Sequence, residues 1–315
     1  MRLKSCVLSY PLRENGRLRA SGRRRGSTQR RIKAGAVAGY VIIGLAIAFV
    51  VYLLIPTSTD NVENSLARAA IVDQLNVLAP NQEFVQAAAD TMQLAGLNVE
   101  VFGPDGVTVG LYQNLPKREY KLIVFRAYAG VKQEEKNQPV GLYTTESYNE
   151  LSYSQEQSTD LIVVGRPFNQ SQEAVFAVTP KFIRERSVAN YPGTIIVLME
   201  GYGLHSRDLP QAFIDRGASV VIGWDGSVGL DHADKATLKL LEELLTRKLS
   251  ISDSVETTMD QVGADPDFNS VLLYYPKSKG SLTFSQLFTG FATATIPRRF
   301  IDDPQDHMAT RHVRS

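Results

Sequence analysis

The chain has 315 residues and a formal charge of only +1, and its one cysteine, Cys6, leaves no disulfide or thiolate metal site available to anything C-terminal of it. The small net charge hides a split. Residues 1–33 carry eleven Lys/Arg against the single acid Glu14, about +10, and the remainder carries 23 Lys/Arg against 32 Asp/Glu, about −9.

Residues 35–55, GAVAGYVIIGLAIAFVVYLLI, contain no charge. At about 1.5 Å per residue a helix of this length extends roughly 30 Å, the thickness of a bilayer's hydrocarbon core. Tyr40 and Tyr52 lie towards its ends, where aromatic side chains favour the interface, and Pro56 with the polar TSTDN stops it. A cleaved signal peptide would have a shorter apolar region and a small-x-small site, and none follows Ile55. RRRGSTQRR also lacks the apolar residues expected after a twin-arginine signal. Residues 34–56 therefore read as one uncleaved transmembrane helix that meets the lipid bilayer through residues 35–55. Positive charge stays inside, so the 1–33 arm is cytoplasmic and the chain from 57 onward is extracytoplasmic. There the arm is a topology signal and an anionic-lipid contact, and no nucleic-acid partner is expected.

A polar linker (57–67) leads to RAAIVDQL (68–75), read as a strand although Ala and Leu would equally open a helix. Pro80 and Asn81 start a helix in which Phe84, Ala88, Met92 and Ala95 recur at helical spacing, with Gly96 as its C-cap. LNVEVFG (97–103) is a strand, residues 107–115 form a short apolar piece, and YKLIVFRAYAG (120–130) is a buried strand entering a small-residue turn. VGLYTT suggests a hairpin; DLIVVG (160–165) and EAVFAVTP (173–180) are shorter strands. Strands at 194–199 and 219–224 flank a helix near 207–216. Asp231 is the expected N-cap of a long helix over 232–249, and a further helix spans 250–263, closed by Gly263. NSVLLYYP (269–276) is the last strand. Residues 277–315 are a C-terminal extension with a short amphipathic helix at TFSQLFTGF and a loose end. Apolar strands alternating with helices imply an α/β domain with a mostly parallel sheet covered on both faces.

Motifs for chemistry are sparse. There is no GxxxxGK[ST] loop, and GYG at 201–203 is half of a GxGxxG without its acidic partner. WDGSVG fails as a G-x-S-x-G elbow because Asp225 stands two residues before Ser227. Asp231-His232-Ala233-Asp234 resembles a ligand cluster, yet acids at a helix start more often cap it and meet its dipole. His205 and Ser206 read as first-turn polar residues. Glu200 is the ionisable group placed at a strand end and is expected to pair with Arg126 on a neighbouring strand. No cofactor and no metal is expected.

GTIIVLMEGYGL (193–204), followed by LPQAFIDRGASVVIGWDGSVGLDHADKAT (209–237), resembles the caspase-like cysteine peptidase superfamily of caspases, gingipains and legumains, and most of all its prokaryotic caspase-like domains. YKLIVFRAYAG is similar to the strand that ends in His-small-Gly in the same group. The resemblance spans roughly 68–276 and implies a caspase-like three-layer sandwich. It also implies a thiolate nucleophile and an assisting His at two neighbouring strand ends. Those positions fall on Gly201 and Tyr128, and Ala127, Ala129, Glu200 and Tyr202 beside them do not substitute. The implied protein is a pseudo-peptidase that binds or regulates a peptide or protein without cutting it. Its candidate cleft consists of Arg126, Tyr128, Glu200, Gly201, Tyr202, His205, Trp224 and Asp225, with Trp224 equally readable as a core residue ending its strand. The alternative is a hydrolase that uses Glu200, His205 or Asp225, with water or a metal, in the same pocket.

Overall fold

Apolar runs with no polar interruption need cover on both faces, and the centre of the domain is built from them. The computed structural model describes residues 67–130, 141–166 and 173–287. The basic arm, the 34–56 segment expected to be a membrane helix, nearly all of the linker and the tail beyond 287 lie outside these residues. Among the described residues no helix is long and apolar enough to cross a membrane.

In chain order the elements are β1 (Arg68–Asp73), α1 (Gln82–Leu94), β2 (Asn98–Phe102), α2 (Val109–Asn114), β3 (Leu122–Arg126), β4 (Ala129–Gly130) and β5 (Gly141–Ser147). They continue with α3 (Ser154–Ser158), β6 (Ile162–Gly165), β7 (Val175–Val178), α4 (Pro180–Arg186), β8 (Ile195–Leu198) and α5 (Asp208–Asp215). Last come β9 (Val220–Trp224), α6 (Leu230–Leu241), α7 (Ile251–Val262) and β10 (Leu272–Tyr275).

The main sheet has the order β10-β9-β8-β3-β1-β2. Its strands are parallel except β10, which runs antiparallel to β9. Side chains alternate across it. Ala70, Val72, Ile123, Phe125, Ile196, Leu198 and Val221 face one way, against α2, α4 and α5. Ala69, Ile71, Leu122, Val124, Ile195, Val197, Val220, Ile222 and Trp224 face the other, against α1, α6 and α7. The expected α/β domain with a mostly parallel sheet and helices on both faces is therefore present.

The shorter strands do not join that sheet. β4, β5, β7 and β6 form a second, four-stranded antiparallel sheet. The sequence does not separate these strands from the main sheet, because short apolar runs carry no information about their partners; pairing is set by distant contacts. Two of the helix starts expected from sequence carry side-chain caps. Asn81 Oδ1 accepts from Phe84 N at 3.0 Å and Ser250 Oγ from Asp253 N at 3.2 Å, while Gly263 closes α7. Asp231 is not an N-cap: α6 begins at Leu230 behind Gly229, which places Asp231 in the first turn. The long helix expected over 232–249 ends at Leu241 and continues as a π-helical turn over Glu242–Thr246.

Candidate functional site

β3 and β8 are parallel neighbours, with Phe125 opposite Leu198. Tyr128 follows the end of β3 by two residues and Gly201 follows β8 by three. The two positions marked by the resemblance thus lie past the C-terminal ends of adjacent strands, where open α/β sheets build their ligand sites.

Below them lies a buried charge network. Arg126, 1% exposed, faces the α1 and α6 side. Its Nη1 donates to Asp73 Oδ1 at 3.0 Å; Nε and Nη2 donate to Asp234 Oδ1 and Oδ2 at 2.9 and 3.1 Å; Nη2 also reaches Ala79 O at 2.9 Å. Asp73 is the β1 register partner of Arg126, and Asp234 arrives from α6. Asn81 ties in α1 by donating to Asp234 Oδ2 at 2.8 Å while capping its own helix. Asn76 donates to Asp73 Oδ2 at 3.0 Å, and the Phe84 ring lies 5.7 Å from the guanidinium. A fork-shaped donor with two carboxylates is the geometry in which a buried ion pair offsets its desolvation.

The Arg126–Glu200 pair expected from sequence does not form. Asp73 and Asp234 occupy the guanidinium instead. Glu200 is 3% exposed, and its Oε1 has no hydrogen-bond partner. Burial pushes its carboxyl up to about 8, with Asp234 adding to the rise and Arg126 opposing it. At neutral pH Glu200 is therefore mostly a protonated acid.

Tyr128 is half-buried. Its N–H donates to Gln74 Oε1 at 3.0 Å, and its ring packs edge-on to Tyr143 with centroids 6.1 Å apart. Burial raises the phenol above its ordinary value, Glu200 adds to this, and Arg126 opposes it. The group is a weaker acid than free tyrosine and stays neutral near pH 7.

The turn after β8 is closed by the loop after β9. Tyr202 N donates to Gly226 O at 2.9 Å and Leu204 N to Trp224 O at 2.8 Å. Tyr202 adopts φ +67°, and its hydroxyl accepts from Ser227 Oγ at 2.9 Å. Gly201 is buried between these bonds. A Cβ there would stand 2.7 Å from Gly226 O, 2.8 Å from Ser227 Cα and 3.1 Å from Val228 N, all backbone atoms. The loop is anchored from behind. Asp265 Oδ2 accepts from Gly229 N at 2.8 Å, its Oδ1 accepts from Asp267 N and Phe268 N, and Ser270 Oγ donates to Ser227 O. Burial pushes the Asp265 carboxyl up, but these amides outweigh it and hold it below the usual aspartate range.

The remaining candidates separate. Trp224 is fully buried in the α1/α6/α7 core, with its ring 5.5 Å from that of His232, and so does not line a cleft. Arg126 and Glu200 are likewise interior. His205 is exposed, packs edge-on to Tyr202 at 5.3 Å, and donates through Nδ1 to the Asp225 backbone carbonyl at 3.0 Å. It precedes α5 and does not belong to its first turn. The Asp225 carboxylate accepts from Val271 N at 2.9 Å. Among the described residues no hydrogen bond joins the side chains of Glu200, His205 and Asp225, and no three His, Cys, Asp or Glu converge as metal ligands. Residues that sequence reasoning passed over are Asp73, Asn81 and Gln74, which position Arg126 and Tyr128.

No protein-family model matches the chain, and none of the curated proteins matches it.

Proposed function

We propose that residues 68–276 form a catalytically degenerate caspase-like domain in three layers, held outside the cell membrane by a single helix at 35–55, that binds or regulates a peptide or protein without cutting it. The observation that carries this reading is the placement of Tyr128 and Gly201 past the ends of the adjacent parallel strands β3 and β8. The resemblance requires an assisting His and a nucleophilic Cys at two such strand ends. Here one position bears a neutral phenol, and the other bears no side chain and has no space for one. A peptide carbonyl at this place meets neither a base suited to neutral pH nor a nucleophile.

What remains at the surface suits recognition. Tyr128 and Tyr202 are partly exposed and His205 is exposed. Aromatic faces beside strand ends hold extended peptides by stacking while backbone groups supply register. The test is the full-length chain in detergent micelles, incubated with a diverse peptide pool and Ca²⁺ and read by mass spectrometry for both cleavage and retention. Retention without cleavage is expected. Cleavage that disappears in Tyr128→Phe or Glu200→Gln would mean a different nucleophile works there and would overturn the proposal.

A further inference from the structure

Glu200 is a buried carboxyl without a counter-ion of its own. The groups that face it are Arg126 and the Tyr128 phenol from the end of β3 and Asp234 from α6, with Asp73 of β1 behind Arg126. Arg126 is committed to Asp234 through Nε and Nη2 and to Asp73 through Nη1. Two carboxylates already exceed its single positive charge, so an ionised Glu200 would be a second uncompensated anion in the same interior. Buried charge without a partner is relieved by neutralisation or by movement into water. The element able to move is the turn that begins at Glu200. It carries a tyrosine in the left-handed region, and the Tyr202–Gly226 and Leu204–Trp224 backbone bonds, with the Ser227 hydroxyl on Tyr202, hold it to the opposite loop.

We infer that Glu200 is a proton-operated latch on the 200–204 turn. With its proton, the carboxyl stays inside and the turn lies closed against the 224–228 loop. On ionisation the proton passes to solvent, the carboxylate swings outward, and the turn leaves the loop, uncovering Gly201. The device depends on burial and charge at β3, β8 and α6 and is independent of the domain's ancestry.

Trp224 is the chain's only tryptophan, is fully buried, and accepts a turn bond through its own carbonyl, so it reports on the latch directly. The full-length chain in detergent micelles is titrated between about pH 6 and pH 10. A red shift of tryptophan emission with a one-proton midpoint near 8 is expected. Hydrogen exchange at the Tyr202 and Leu204 amides, corrected for the intrinsic effect of pH, should rise about tenfold between one pH unit below the midpoint and one pH unit above it. Glu200→Gln should hold both readouts at their low-pH values throughout. No transition in the wild-type chain, or the same transition in Glu200→Gln, overturns the inference. Infrared spectroscopy of the wild-type chain needs no variant: a protonated-carboxyl band must be present at pH 6 and vanish with the same midpoint. Its absence at pH 6 also overturns the inference.

Discussion

Gly201→Ala adds one methyl group where three backbone atoms already lie within 2.7–3.1 Å. Flexible side-chain ends could turn aside, but Gly226 O, Ser227 Cα and Val228 N belong to a loop fixed by Asp265, Ser270 and the Tyr202 amide. Either the loop shifts and loses bonds or the turn does. Forced insertion into a packed interior costs about 1–3 kcal/mol. For a domain of about 150–250 residues each kcal/mol lowers the melting temperature by about 2–4 °C, so a loss of roughly 2–12 °C is expected. Gly226→Ala, three residues before the loop's anchor at Gly229, is the internal control. Its Cβ would meet only Ser270 Cβ, at 3.4 Å, and its backbone is outside the left-handed region, so a change within about 0.5 kcal/mol is expected. Thermal and urea unfolding of the full chain, followed by Trp224 fluorescence, measures both variants side by side. Equal stability of Gly201→Ala and Gly226→Ala would refute the claim that the 201 position is filled by its opposite loop. Gly201→Cys carries the same Cβ and should lose at least as much, and adding Tyr128→His to it should yield no peptide cleavage.

Two further outcomes follow from the buried charges. Asp234→Ala leaves Arg126 with half its anions and Asn81 Nδ2 without its acceptor. A loss of about 3–5 kcal/mol in urea unfolding is expected, and a loss below about 1 kcal/mol would mean the network contributes little. The Glu200 carboxyl lies at about 8 in the folded domain against 4.5 ordinarily, so between those values the folded chain holds a proton that the unfolded chain has released. Its contribution to stability is complete below about 4.5, falls by up to about 1.4 kcal/mol per pH unit across that window, and is flat above it. Urea midpoints against pH should show this decline in the wild-type chain and a flatter profile in Glu200→Gln.

The central strands were legible because their chemistry is local. IIVL and LIVF have no polar interruption, so only a position covered on both faces suits them. The second sheet was not legible: the register of β5 on β7 is fixed by Leu142 meeting Val178 and by an irregularity before Ser147, which no window of sequence records. The charge network lay between these cases. Asp73 and Arg126 each end an apolar strand, 53 residues apart, and a lone acid and a lone base at matching ends of neighbouring buried strands are a usable signal. Asp234 was hidden by a stronger habit, since acids near a helix start usually cap it. The spacing was nonetheless available: Thr237 and Leu241 follow it at three and seven residues, and both are buried, so Asp234 sits on the inward stripe. Glu200 was misassigned because sequence places it beside Arg126 without revealing that two aspartates reach the guanidinium first.

On the caspase-like reading, the two catalytic positions have diverged in opposite directions with one structural consequence. At 128 a phenol adds bulk and packs on Tyr143, while the backbone N–H of the same residue donates to Gln74 Oε1. At 201 the side chain is absent, and the opposite backbone occupies the place a Cβ would take. Filling from one strand end and closure at the other both remove cavity surface, and surface without partner atoms forfeits dispersion contacts. The exchange therefore favours stability at the expense of a nucleophile's working space, and restoring the two side chains alone does not reopen that space. Reversal would require the 226–228 backbone to retreat, and the Asp265 and Ser270 anchors hold it forward. Removing the Glu200 proton is the perturbation that acts on the turn from the other side.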